Sequence, residues 1–398
     1  LTILSSLGLA AAQQVGNVQN ETHPKLQWTK CAADGSCGKI NGEVVIDANW
    51  RWIHKTGNLT YNCYDWNKWD WDVCGSVEDC TNTCAIEGAT YDRVYGVKTA
   101  NDTLTARLKT NFDFSHSIAS RLFLLESKNR YQMFTLLNNE LAFDVDLSTV
   151  ECGINSALYF VPMDPDGGQA KYPTNQAGAE YGTGYCDATC PRDLKWIEGK
   201  ANFESWIPSA TDEFAGVGRF GACCPQFSVW NSNAHSFSMS SHVCPEDGFF
   251  TCDHYQQNCQ FDELYPDERK KKCDFWGCGY NAYRMGNTEF YGKGKKVDTA
   301  RKFTWALPSL YFSPRVCLLT RLIPVSLRSG TKQKSRSSSS KTAKRSTCLL
   351  PPGTACPKRP GSRPTCARNS VKSFRNVTSW PRTEVGKPTT GSCWSSPW

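Results

Sequence analysis

The chain has 398 residues, 21 of them cysteine, and a formal net charge of +7. That length fits one large β-rich domain or two ordinary ones, and cysteines without C-x-x-C spacings argue against a zinc-ribbon scaffold and for structural disulfides made in an oxidising compartment. The charge is unevenly divided: residues 301–398 hold 19 Lys and Arg against the lone acid Glu384, net +18, whereas residues 1–300 hold 26 basic and 37 acidic residues, net −11.

The chain opens with "LTILSSLGLAAAQQ", the apolar stretch and small-residue end of a secretory signal, with residues 1–12 as its remnant and cleavage expected before Gln13. No later window is long and apolar enough for a transmembrane helix, so no membrane partner is expected. Asn20, Asn58 and Asn101 each begin an Asn-x-Thr triplet, the acceptor pattern for N-glycosylation in a secreted chain. From Val44 to about Phe303 short apolar runs alternate with Gly, Asn and Asp turns, as in "GEVVIDANWRWIH", "SRLFLLES", "YQMFTLLNNELAFDVDL" and "SALYFVPMD". This predicts an all-β sandwich or jelly roll without internal repeats. Trp50 and Trp52, two apart on one of these predicted strands, would project from one face. There they serve either as core or as flat platforms for sugar rings.

Five blocks in this order, "ETHPKLQW", "VVIDANWRWIH", "LAFDVDLSTVECGINSALYFVPMDPDGG", "KYPTNQAGAEYGTGYCDATCPRDLKWIEGKAN" and "YNAYRMGNTEFYG", resemble glycoside hydrolase family 7, the fungal-type cellobiohydrolases and endoglucanases. The resemblance covers residues 13–303. It implies a concanavalin-like jelly-roll β-sandwich of two antiparallel sheets, here incomplete at the C-terminus. It also implies retaining hydrolysis of β-1,4-glucosidic bonds by a secreted monomer acting on cellulose or another β-1,4-glucan, with no cofactor, metal or nucleic-acid partner. By the same resemblance Trp50, Trp52, Asn155, Tyr159, Asp187, His242 and Arg284 fall on substrate-binding positions.

Retaining glycosidases use two carboxyl groups about 5–5.5 Å apart, one as nucleophile and one as acid/base. The family places them in a Glu-x-Asp-x-x-Glu pattern just after a Cys-Cys pair, with Trp before the last Glu. Aligning Cys223, Cys224 and Trp230 in "GACCPQFSVWNSNAHSFSMSSHVC" puts Gln226 at the nucleophile position, Ser228 at the supporting acid and Asn231 at the acid/base. All three acids are replaced, so this copy is expected to be inactive or severely impaired. Asp187, Glu246 or Asp247 are nearby candidates to substitute for them. Two further readings stand beside the cellulase label: a glucan-binding pseudoenzyme, and the non-functional product of a frameshifted gene.

Carried over from the family, the disulfides would pair Cys31 with Cys37, Cys63 with Cys84, Cys74 with Cys80, Cys244 with Cys273, and Cys252 with Cys259. Cys186 and Cys190 would reach Cys223 and Cys224, leaving Cys152 and Cys278 over. Residues 304–398 form a basic Ser/Pro-rich tail in which "GTKQKSRSSSSKTAKRSTCLLPPG" shows no strand pattern. It reads as a basic disordered arm for nucleic acid or anionic surfaces or, the favoured reading, as a frame error or retained intron. Shifted by two bases, "TGSCWSSPW" becomes an apolar, strand-like run if its serines use TCN codons.

Overall fold

The computed structural model describes residues 12–113, 115–136, 139–256, 259 and 273–307, together with the backbone of 382–385. The secretory-signal expectation at residues 1–11, and nearly all of the tail, lie outside these residues. The architecture is all-β, as the alternating runs predict. Among the described residues one α-helix occurs, α1 (Val77–Thr83), capped where Ser76 Oγ accepts the Asp79 N–H.

Two sheets organise the strands. The first joins β1 (Lys25–Cys31), β2 (Cys37–Ile46), β3 (Leu122–Ser127) and β4 (Arg130–Tyr131) in the order β4-β3-β2-β1, all antiparallel. A short strand, β5 (Leu141–Val145), follows. The second sheet contains β6 (Ile154–Phe160), β7 (Gln226–Ser232), β8 (Phe237–His242) and β9 (Cys278–Tyr280). With β11 (Arg382–Val385) its order is β9-β8-β7-β6-β11. Another five-residue strand, β10 (Phe303–Leu307), pairs antiparallel with β5 in full register from Leu141–Leu307 to Val145–Phe303. Further along, β11 lies at the edge of β6, with Asn155 opposite Glu384 in the register.

The apolar back of the second sheet forms the largest core. Leu158, Phe160, Phe227, Val229, Trp230, Phe237 and Met239 pack there with Phe303, Trp305 and Leu307 of β10. Trp230 sits at its centre, 4.7 Å from Trp305 and 5.5 Å from Phe237 between ring centroids. Phe134 links the sheets, edge-on to both Trp28 of β1 and Phe160 of β6.

Seven disulfides join described cysteines, including every single pairing expected above. The vicinal pair resolves as Cys186–Cys224 and Cys190–Cys223. Cys152 and Cys278, expected to be left over, are both disulfide-bonded. A family comparison finds partners only where the sequences match, whereas a disulfide needs only two sulfurs at bonding geometry.

Candidate active site

On a regular strand residues five apart point to opposite faces, so Gln226 and Asn231 should diverge. They do not, because β7 carries one extra residue. Against β8, Ser228 pairs with Ser240 and Asn231 with Ser238, three steps on β7 for two on its neighbour. Against β6, Tyr159 pairs with Ser228 and the adjacent Leu158 with Trp230. This β-bulge resets the alternation. Phe227, Val229 and Trp230 go to the core, while Gln226, Ser228 and Asn231 share the opposite face.

Directly opposed residues of a ladder share a face. The face therefore also holds Tyr159 and Ala157 from β6, and His242, Ser240 and Ser238 from β8. Two positions before Ala157, the half-buried Asn155 continues the same row. Gln226 is held at both ends of its amide: Nε2 donates to Ser228 Oγ at 3.0 Å, and Oε1 accepts the Ala188 N–H at 3.4 Å. Asn231 is half-buried. His242 is buried, its Nδ1 2.9 Å from the Asp274 carbonyl and its Nε2 2.8 Å from Ser240 Oγ. Burial pushes its pKa down, only partly offset by the Asp274 carbonyl.

Asp187 flanks the strand's entrance, bridging to Cys223 beside the two vicinal disulfides. Its carboxylate is buried and committed. Oδ2 accepts Tyr185 Oη at 2.6 Å, and Oδ1 accepts the Thr189 N–H at 2.7 Å and Oγ1 at 2.5 Å. Such a group orders its loop and is poorly placed to attack a sugar. Glu246 and Asp247 are exposed on the loop after Pro245. Arg284 is also exposed, on the turn following β9, where its N–H donates to Asn281 Oδ1 at 3.0 Å.

The tryptophan pair departs from expectation. Trp50 ends a 3-10 turn, Ala48–Trp50, fixed by Asp47 accepting the Asn49 N–H, and Trp52 lies outside any strand. The indoles therefore diverge. Trp50 is half-buried, donating Nε1 to the Ile118 carbonyl at 3.1 Å, with the Arg121 guanidinium 5.3 Å from its ring. Trp52 is 38% exposed, donates Nε1 to Asn62 Oδ1 at 2.7 Å and lies 4.3 Å from the His54 ring. The local Asp-x-Asn capping pattern was the overlooked signal.

Sequence spacing also passed over Lys195. It is buried, its Nζ donates to the Asn49 carbonyl at 2.6 Å, and it sits 4.5 Å from the Tyr64 ring. Burial pushes its pKa down to about 8, against the pull of Asp193, Asp47 and Asp212. A pocket of about 180 Å³ lies elsewhere, between His235 and Asn287, and none of Gln226, Ser228 and Asn231 lines it.

The model of glycosyl hydrolase family 7 matches residues 15–306. A cellobiohydrolase of that family from Daphnia pulex superposes with a TM-score of 0.70 at 42% identity, covering 74% of this chain and 66% of that one. The cellobiohydrolase of Melanocarpus albomyces complexed with cellotetraose gives 0.70 at 51% identity, covering 75% and 68%. The endocellulase EGI of Humicola insolens gives 0.61 at 34% identity, covering 74% and 68%. The chain thus spans about two thirds of the length of these relatives.

Proposed function

The chain belongs to glycosyl hydrolase family 7, and from that premise we propose that it is a secreted protein that lodges a β-1,4-glucan against the polar face of β6, β7 and β8 and hydrolyses it negligibly. The observation that carries this reading is the face itself. The bulge aims three side chains of β7 together, and they are an amide, a hydroxyl and an amide.

The chemistry follows from those groups. A retaining cleavage needs one oxygen to attack the anomeric carbon and one acid to protonate the leaving oxygen. The Gln226 amide is far too weak a nucleophile to form a glycosyl-enzyme bond, and the Asn231 amide N–H is far too weak an acid to protonate a departing alcohol. Amides and hydroxyls nonetheless donate to and accept from sugar hydroxyls without the repulsion of two close carboxylates. Trp52 offers an exposed ring to a glucose face, and Trp50 the edge of a half-buried one. Asn155, Tyr159, Asp187, His242 and Arg284 complete the proposed contacts, with the first four on or beside the face.

Secretion is supported by the disulfides, and no helix among the described residues is long and apolar enough to cross a membrane. Asn20 and Asn101 are exposed acceptors for N-glycans, and Asn58 is half-buried with Oδ1 accepting Thr60 Oγ1 at 2.8 Å. The test is retention of purified full-length chain on cellulose alongside a reducing-sugar assay. Retention without sugar release supports the proposal; sugar release at cellulase rates, or no retention, refutes it.

A further inference from the structure

The strands Tyr64–Asp65 and Lys68–Trp69 form a hairpin whose two-residue turn is Trp66–Asn67. Trp66 has a φ of 54°. In a two-residue turn with positive φ at its first central position, glycine is the ordinary occupant, because a Cβ there crowds the backbone. Tryptophan strains the turn, yet the residue is 56% exposed and gains little from burial. A strained residue kept at an exposed site points to a use for its side chain.

The ring is nonetheless held in one place. Phe214 stacks against it, centroids 5.9 Å apart and planes 12° from parallel. The Phe214 loop is tied to the hairpin by Asn67 Nδ2, which donates to the Ser209 and Asp212 carbonyls at 3.0 and 3.1 Å. Tyr64 Oη also donates to the Phe214 carbonyl, at 3.2 Å. Trp206 Nε1 fixes the turn itself by donating to the Asn67 carbonyl at 2.8 Å. With Phe214 stacked on it, the residue still keeps more than half of its surface exposed. Asn62 joins this platform to Trp52, accepting the Trp52 Nε1–H at 2.7 Å and donating to Asp65 Oδ1 at 3.5 Å.

We propose that Trp66, backed by Phe214, is an additional carbohydrate-stacking position for a β-1,4-glucan, outside the β6–β7–β8 face and adjoining Trp52. The proposal rests on the glucan reading above. A pyranose presents an apolar C–H face that matches a flat indole, and the exposed Asp65 and Lys68 stand beside the ring for its hydroxyls. Pre-fixing the ring removes the ordering entropy that a loose surface tryptophan would lose on binding.

The test compares the full-length chain with Trp66→Gly and Trp66→Phe, titrating cellohexaose by calorimetry and recording each melting temperature. Glycine suits the turn, so Trp66→Gly keeps or raises the melting temperature while weakening cellohexaose about tenfold, and Trp66→Phe falls between. Equal cellohexaose affinity in the parent and Trp66→Gly overturns the platform, whatever the melting temperature does, and leaves the glucan reading standing. Absence of cellohexaose binding by the parent chain overturns both.

Discussion

Gln226 and Ser228, two positions apart on one strand and each 1% exposed, hydrogen-bond to each other at 3.0 Å. On the function proposed above, this neutral contact stands in place of the charged groups of a retaining hydrolase. A single Gln226→Glu change would place a carboxylate in that buried spot, where desolvation raises its pKa. Since an acid/base would still be missing, Gln226→Glu and Asn231→Glu should each alone release no sugar from cellotetraose. Activity should appear only when both are present, and rise further with Ser228→Asp. Turnover by either single variant in a reducing-sugar assay would contradict this account.

Trp230 is the structural counterpart of those three positions, sent to the core by the same bulge. Trp230→Ala should lower the unfolding free energy by about 3–5 kcal/mol, because Trp305 and Phe237 cannot refill the space. Urea denaturation followed by fluorescence measures this. A loss below about 1 kcal/mol would mean that the core is looser than the packing implies.

Stability should decline toward both acid and alkaline pH, for separate reasons. Burial holds His242 below its ordinary pKa of 6.5. The unfolded chain therefore takes up the proton first, and stability is full above about pH 6.5 and lost as pH falls below it. His23 is the opposite case. Burial disfavours its charge, but hydrogen bonds with Glu21, the Glu180 carbonyl and Glu43 raise its pKa above 6.5. Its contribution is full below about pH 6.5 and fades as pH climbs through the raised value. Melting curves from pH 4.5 to 8.5 should show His23→Gln losing the alkaline decline and His242→Gln the first part of the acid one.

Further acidification brings in Glu21. Burial alone would raise its pKa, but His23 and Arg51 outweigh it and hold the carboxyl at about 2. Its stabilisation is complete above pH 4.5 and disappears between there and about pH 2. Glu21→Gln should flatten the stability profile across that window, leaving Arg51 without its buried counter-ion and the chain less stable at neutral pH.

The bridges Cys190–Cys223 and Cys186–Cys224 anchor the segment carrying Asp187 to the start of β7. Replacing Cys190 and Cys223 together by serine should cost about 2–5 kcal/mol. It should also weaken cellohexaose binding, since Ala188 then holds Gln226 less firmly. Unchanged affinity in that variant would detach the loop from the site.

Much of this was legible in the sequence. Alternating runs gave the strands, and the Cys-Cys pair and Trp230 singled out the strand on which Gln226, Ser228 and Asn231 share a face. Two features were hidden for physical reasons. Gln226, Ser228 and Asn231 converge through a bulge, which no period-two pattern announces. Trp50 and Trp52 looked like strand neighbours because their spacing is two, whereas Asp47 captures the Asn49 amide and curls the chain first. The partnering of Cys152 and Cys278 was invisible because it draws on no matched segment.

The β5–β10 pairing also bears on how the protein is made. Leu141 must wait for Leu307, so the core behind the β6–β7–β8 face is finished only when β10 leaves the ribosome. Until that moment Trp230 and Phe237 lack Phe303 and Trp305 as packing partners, and the growing chain keeps apolar surface open to aggregation.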